Sequence, residues 1–291
     1  MTQKLQIARR VAGASAALAG LLFLAPAAPA SAHRIEKHYT VDGRPVVSIR
    51  NAHGHIEVKS WKRPEVVVVG NHNSDKVEVD TEQAGNRIEV TTHILKENLK
   101  PADLQADYNL TVPEETELQV RTDSGMVIVE RVFGDMTFDT VAADVQLREV
   151  AGYLAIKTIG GSVVCTRCIG RIEVNSISGN VSLLQPVSSS VRVQTSSGNI
   201  YFDGEFHRDG IYSLRNYSGL IEVRFSDTDS FDLTATSLQG KVENQAKLKP
   251  DPHGGRHVSS RFTTAFGTFN EGHAKVELSS FSGTIRIRRR D

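Results

Sequence analysis

Apolar and polar residues alternate in short runs along most of this chain, and from Thr122 onward the runs recur at a fixed interval. The pattern Thr/Ser-x-Ser-Gly-x-Val-x-Val returns as TDSGMVIV, TVAADVQL, TIGGSVVC, SISGNVSL, TSSGNIYF, NYSGLIEV and SLQGKVEN, and closes the chain as SFSGTIRI. The turn positions are Gly125, Ala143, Gly161, Gly179, Gly198, Gly219, Gly240 and Gly283, giving steps of 18, 18, 18, 19, 21, 21 and 43 residues. A period that short and regular predicts stacked supersecondary units. Two and four places after each turn stand apolar residues, such as Val127 and Val129 or Ile200 and Phe202, with polar residues mostly between them. That is strand alternation. Nine places after three of the turns a second glycine appears (Gly134, Gly152, Gly170), followed by another alternating run. Glycine suits such corners because it takes positive φ without a Cβ clash.

One repeat cannot bury both sides of its few apolar residues, so repeats must stack and stability becomes a nearest-neighbour sum. The expected fold is all-β, a parallel β-solenoid with two short strands per coil of about 18–21 residues, preceded by a strand-rich N-terminal region. Residues 33–118 carry that region, with alternating runs separated by Gly, Asn or Asp turns. Its fragment NAHGHIEV, with Gly54 in the turn, is expected to start the stack. Residues 119–291 carry the repeats, interrupted near 246–273 by the loop KLKPDPHGGRH and a hairpin expected in RFTTAFGTFNEGHAKVELSS. The chain ends Arg286-Ile287-Arg288-Arg289-Arg290. On the open end of a solenoid these cations would discourage strand pairing between molecules.

Residues 1–32 read as a signal peptide: Lys4, Arg9 and Arg10 precede the apolar run VAGASAALAGLLFLA, and Ala30-Ser31-Ala32 is a small-x-small cleavage pattern. The mature chain is then expected outside the cytoplasm, periplasmic or at the cell surface, without a transmembrane anchor. The balance of 34 basic and 34 acidic residues gives no nucleic-acid footprint.

Several side chains invite chemistry. Cys165 and Cys168 could fill the core, form a disulfide across the Thr166-Arg167 corner, or make half a metal site or a redox pair. Their register with Leu147, Leu183 and Val150 surrounds them with aliphatic neighbours and supplies no further ligand. His53 and His55 flank Gly54 and would share one face of an extended stretch; with His253, His257 and His273 they read as solvated histidines. Asp135 and Asp139 point outward but stack with Tyr153, Lys157, Arg171 and Asn175, which reads as charge pairing across strands. No carboxylate pair, nucleophile elbow, phosphate loop or zinc-protease motif emerges, so neither an enzyme nor a cofactor is expected.

Two columns follow from the repeat. Three residues before each turn stand Thr122, Thr140, Thr158, Ser176, Thr195, Asn216, Ser237 and Ser280, whose expected work is to satisfy turn backbone groups. One residue later come Val141, Ile159, Ile177, Tyr217, Leu238 and Phe281, broken by Asp123 and Ser196. They form an apolar stripe if strand alternation persists to the corner, and a core column if the turn swings them inward. Exposed, the stripe would suit a docking partner.

The signal peptide, the Val112-Pro113 step, the serial SG-x-V/I-x-V turns and the terminal SGTIRI together resemble the bacterial exported family called domain of unknown function 4097, labelled putative adhesin. The likeness spans about Ile49 to Arg288. It implies a β-solenoid of the cell envelope and supplies no functional residues. The expected function is a non-catalytic binding or structural module contacting a glycan or an envelope protein. A carbohydrate-active enzyme on a solenoid, or an accessory in envelope-stress signalling, are the alternatives.

Overall fold

The structure, a computed structural model, describes residues 33–96, 99–250 and 263–290, all within the compact unit Ser31–Asp291. The signal-peptide segment and the histidines His253 and His257 lie outside the described residues. Those residues form an all-β molecule: 21 strands join in one sheet, and the helical content is a single 3-10 turn, Pro101–Leu104. Among the described residues no helix is long and apolar enough to cross a membrane.

Two runs of parallel pairing carry the regular region. One passes through Ala151–Thr158, Ile169–Ser176, Val187–Thr195 and Ile211–Asn216. The other passes through Val163–Thr166, Val181–Leu184, Ile200–Asp203 and Leu220–Phe225. Register is kept at the repeat length, so Cys165 lies opposite both Leu147 and Leu183. Apolar side chains of the same register stack in a buried core that includes Val145, Val163, Val181, Ile200 and Ile221.

The turn positions show why the repeat is so strict. A Cβ on Gly161, Gly179, Gly198, Gly240 or Gly283 would fall on the carbonyl oxygen of the neighbouring turn, that of Ala143, Gly161, Gly179, Gly283 and Gly219 respectively. None of these five has the left-handed backbone expected of a corner glycine; Gly125 and Gly219 do, at φ of 113° and 100°. Close approach between turns, rather than positive φ, therefore demands glycine at most of these corners. At the opposite corner the left-handed backbone falls on Gly152 and Gly170, at φ of 139° and 107°, and also on residues other than glycine: Arg131, Glu149, Arg167 and Gln185, at φ of 55°, 55°, 53° and 50°.

Chain order and stacking order part company at both ends. Val46–Trp61 does not start the stack. It lies between Glu117–Glu130 on one side and Arg87–Ile94 with Ala106–Pro113 on the other. Glu117–Glu130 runs continuously across residue 118. Beyond it, antiparallel strands close this end: Val77–Ala84 on Arg87–Ile94, Glu65–His72 on Ala106–Pro113, and His33–Thr40 outermost on Glu65–His72.

At the other end the last repeat is inserted. Ala274–Ser280 pairs with Ile211–Asn216 and with Phe231–Ser237, while Thr284–Arg289 pairs with Leu220–Phe225 and with Val242–Asn244. The arginine-rich final strand is thus interior, which overturns its reading as edge protection. Its cations are taken up laterally: Arg286 Nε donates to Glu243 at 2.9 Å, and Arg289 pairs with Asp227. The expected hairpin is also absent as such. Thr263–Phe269 and Ala274–Ser280 do not pair with each other, because Phe231–Ser237 lies between them, antiparallel to the first and parallel to the second.

Candidate binding surface

The corner before five of the turn glycines is built by a hydroxyl. Thr158, Ser176, Thr195, Ser237 and Ser280 are buried, and their side-chain oxygens accept the N–H of Gly161, Gly179, Gly198, Gly240 and Gly283 at 2.8–3.1 Å. The hydroxyl supplies an acceptor to a backbone donor that the tight turn removes from the ladder. Thr122 departs from this, donating to the Ser124 carbonyl at 3.4 Å, and Asn216 is buried with neither amide atom paired.

Because the hydroxyl-bearing side chain points inward, the next residue points out. Val141, Ile159, Ile177, Tyr217 and Leu238 are exposed, Tyr217 to 58% and Ile177 to 54%, and Phe281 is half-buried. Their backbones are knitted from turn to turn: Ser178 N–H donates to the Ile159 carbonyl at 2.8 Å and Ser282 N–H to the Tyr217 carbonyl at 2.9 Å. Insertion of the last repeat brings Phe281 between Tyr217 and Leu238, and the Tyr217 and Phe281 rings stack with centroids 4.6 Å apart. The stripe therefore has two blocks, Val141–Ile159–Ile177 and Tyr217–Phe281–Leu238, with Ser196 as a notch between them. A serine row runs beside it, Ser178, Ser197, Ser218 and Ser282, each hydroxyl donating to a carbonyl of the turn below at 3.1–3.5 Å.

A second apolar row escaped the reading of the sequence. Phe133, Ile169 and Val187 are also exposed large apolar residues. Phe133 and Ile169 each pair with Ala151, and Ile169 pairs with Val187. The signal was present: Phe133, Ala151, Ile169 and Val187 recur eight places after the turn positions 125, 143, 161 and 179. Between the two rows lies a polar strip in which Arg171 covers the Tyr153 ring at 5.4 Å and the Tyr153 hydroxyl donates to Glu173 at 3.1 Å. That hydrogen bond, and burial after it, push the Tyr153 hydroxyl above its ordinary pKa.

The remaining candidates are placed without gathering into a catalytic or metal centre. Cys165 and Cys168 are joined in a disulfide, Cα atoms 5.9 Å apart, and both are buried. His53 Nδ1 meets the Ser124 hydroxyl, and the Asp107 carboxylate beside His55 accepts its backbone N–H at 2.8 Å. His273 pairs with Glu271 at 2.7 Å. Asp139 accepts from Arg121 at 3.1 Å and Asp135 from the Tyr153 N–H at 3.0 Å. Among the described residues, no three His, Cys, Asp or Glu side chains are grouped to hold a metal ion.

Fold and surface together define an all-β protein built on one long stacked sheet and ridged by exposed apolar side chains at its corners. The chain belongs to the Toastrack DUF4097 family, whose model matches residues 46–288. Among solved structures it is similar to a "putative cell adhesion protein" from Clostridium sporogenes, at 12% identity and a TM-score of 0.25, with 89% of this chain and 100% of that one covered. It is also similar to a "putative adhesin" from Bacteroides fragilis, at 11% identity and a TM-score of 0.44, with 89% and 97% covered. No curated protein matches it.

Proposed function

We propose that this protein is an exported, non-catalytic binding module, adhesin-like, that contacts glycans or envelope proteins from the periplasm or cell surface. Its working part is a parallel β-solenoid with two short strands per coil of 18–21 residues, reached through the lead-in at 33–118 after removal of 1–32. One observation carries the proposal: the corner stripe of Val141, Ile159, Ile177, Tyr217, Phe281 and Leu238 stays at the surface, although every one of its neighbours three residues from the turn, being polar, is buried. Placing apolar side chains outside is unfavourable for a repeat serving stability alone, and contiguous exposed apolar surface marks interaction sites.

The test is binding of the purified protein to an array of bacterial and host glycans, run beside capture from envelope extracts. A saturable signal that falls at least tenfold in Ile159→Ser/Ile177→Ser and in Tyr217→Ala, with unchanged melting temperatures, supports the module and its stripe. A signal indifferent to all three substitutions removes the stripe from the site. Silence on the array and in the extracts removes the binding role.

A further inference from the structure

The surface is concave beside the first repeat that lengthens to 21 residues. From Gly198 to Gly219 the repeat takes 21 residues, and the surplus forms a loop over Gly204–Gly210. Phe206 anchors that loop in the core, its ring 5.3 Å from Phe202, 4.8 Å from Tyr212 and 5.0 Å from Phe231. The Phe206 N–H donates to the buried Asp229 carboxylate at 3.0 Å, and the His207 N–H to the Tyr212 hydroxyl at 2.9 Å. The loop is thereby fixed from beneath, and its outer side forms one wall of a pocket of 240 Å³.

Arg290 lines the same pocket. Arg290 follows the inserted final strand and reaches back across the stack, its Nε donating to Asp203 at 2.7 Å; Asp203 also accepts the Tyr201 hydroxyl at 3.3 Å. The guanidinium Nη2 is buried and has no partner among the described residues. Nη2 is thus closed off from the pocket, and what faces the pocket is the remainder of the Arg290 side chain, which is 31% exposed. Glu205 and His207 line the same pocket, beside the apolar Pro186 and Val187, so the second apolar row runs into it.

This lining selects among ligands. Asp203 already neutralises Arg290, and Glu205 repels an anion, so a phosphate or carboxylate is disfavoured. What remains is one pinned donor, one carboxylate acceptor, an imidazole able to serve as either, and an apolar patch. A pyranose matches this with hydroxyls around its rim and C–H groups on its face. At 240 Å³ the pocket is smaller than the ~300–1,000 Å³ typical of drug-sized ligands, which suits one ring. We propose that it binds a single neutral pyranose unit of a glycan, a proposal that rests on the glycan-binding arm of the function given above.

The experiment is an amide NMR titration of the isotope-labelled full chain with glucose, galactose and N-acetylglucosamine, and separately with inorganic phosphate. Saturable shifts of the Glu205, His207 and Arg290 amides are expected with at least one sugar. Affinity should fall at least tenfold in Arg290→Gln and in Glu205→Gln, and stay unchanged in Glu82→Gln, an exposed position on Val77–Ala84 at the other end of the sheet, with melting curves confirming that each variant is folded. A response to phosphate and to none of the sugars overturns the proposal. If the glycan array is positive but these amides stay still and Arg290→Gln and Arg290→Lys bind normally, the pocket is overturned while the wider function survives. If neither array nor titration responds, both fall.

Discussion

The rings of Tyr217 and Phe281 lie face to face, 4.6 Å between centroids and 7° from parallel, although in sequence the repeat containing Leu238 stands between them. The contact exists because Ala274–Ser280 enters the sheet between Ile211–Asn216 and Phe231–Ser237. Aromatic pairs of this kind contribute about 0.5–1.5 kcal/mol beyond area burial. A double-mutant cycle with Tyr217→Ala and Phe281→Ala should return a coupling in the lower part of that range, since Tyr217 is exposed. A coupling of zero would show that the two rings do not meet in solution.

Ending the chain before Ala274 should be far more damaging than trimming an edge strand. It would remove both parallel partners from Phe231–Ser237 and Val242–Asn244, and would strip the neighbours from Leu214, Ile221 and Val223. Hydrogen exchange should show protection lost from residue 211 onward while the strands from Val46 to Thr195 keep theirs, because stability in a stacked array is a nearest-neighbour property.

Substitutions at glycine should separate the two reasons for having one. Gly179→Ala places a methyl group on the Gly161 carbonyl and should cost about 1–3 kcal/mol or more, as overpacking does. Gly43→Ala meets nothing within 4 Å and should cost only the strain of its left-handed backbone, about 1 kcal/mol. Gln185→Gly, at a left-handed position of the opposite corner, should be neutral or stabilising. Urea denaturation midpoints of the three variants would rank them.

The disulfide closes a very short loop, so the chain-entropy relation gives it about 2 kcal/mol. A reducing agent should lower the denaturation midpoint by an amount of that order. The double variant Cys165→Val/Cys168→Val should be insensitive to the reductant and fall close to the oxidised protein, because both positions sit among Leu147, Val150 and Leu183 in an aliphatic core.

Alkaline pH should unfold the protein through its buried tyrosines. Burial pushes the hydroxyls of Tyr108 and Tyr212 up to about 12. In the unfolded chain both ionise near 10, so their stabilisation is complete below pH 10 and is lost as pH rises toward 12. Melting temperature should therefore decline across that window, and Tyr212→Phe should flatten the decline. Equal slopes for variant and parent would exclude Tyr212 as a source.

The amino-acid order alone determined what repeats. Spacing of Gly161, Gly179 and Gly198 set the register of the parallel strands, and the residues two and four places on became the core, because each repeat can bury them only against copies of itself. The hydroxyl at the third position before five of the turns, Thr158, Ser176, Thr195, Ser237 and Ser280, was legible for a similar reason: its partner, the glycine N–H, is local. Only the tertiary structure decided which repeat lies beside which. One Ser-Gly turn offers nearly the same backbone groups as another, so nothing local states that Thr284–Arg289 lies inside Val242–Asn244, or that Val46–Trp61 lies inside Arg87–Ile94. That choice follows from long-range fit, including Phe206 in the core, Asp229 beneath its N–H and the antiparallel strands that close the sheet. It places Phe281 on Tyr217 and carries Arg290 back to Asp203, joining a surface from segments that the sequence keeps apart.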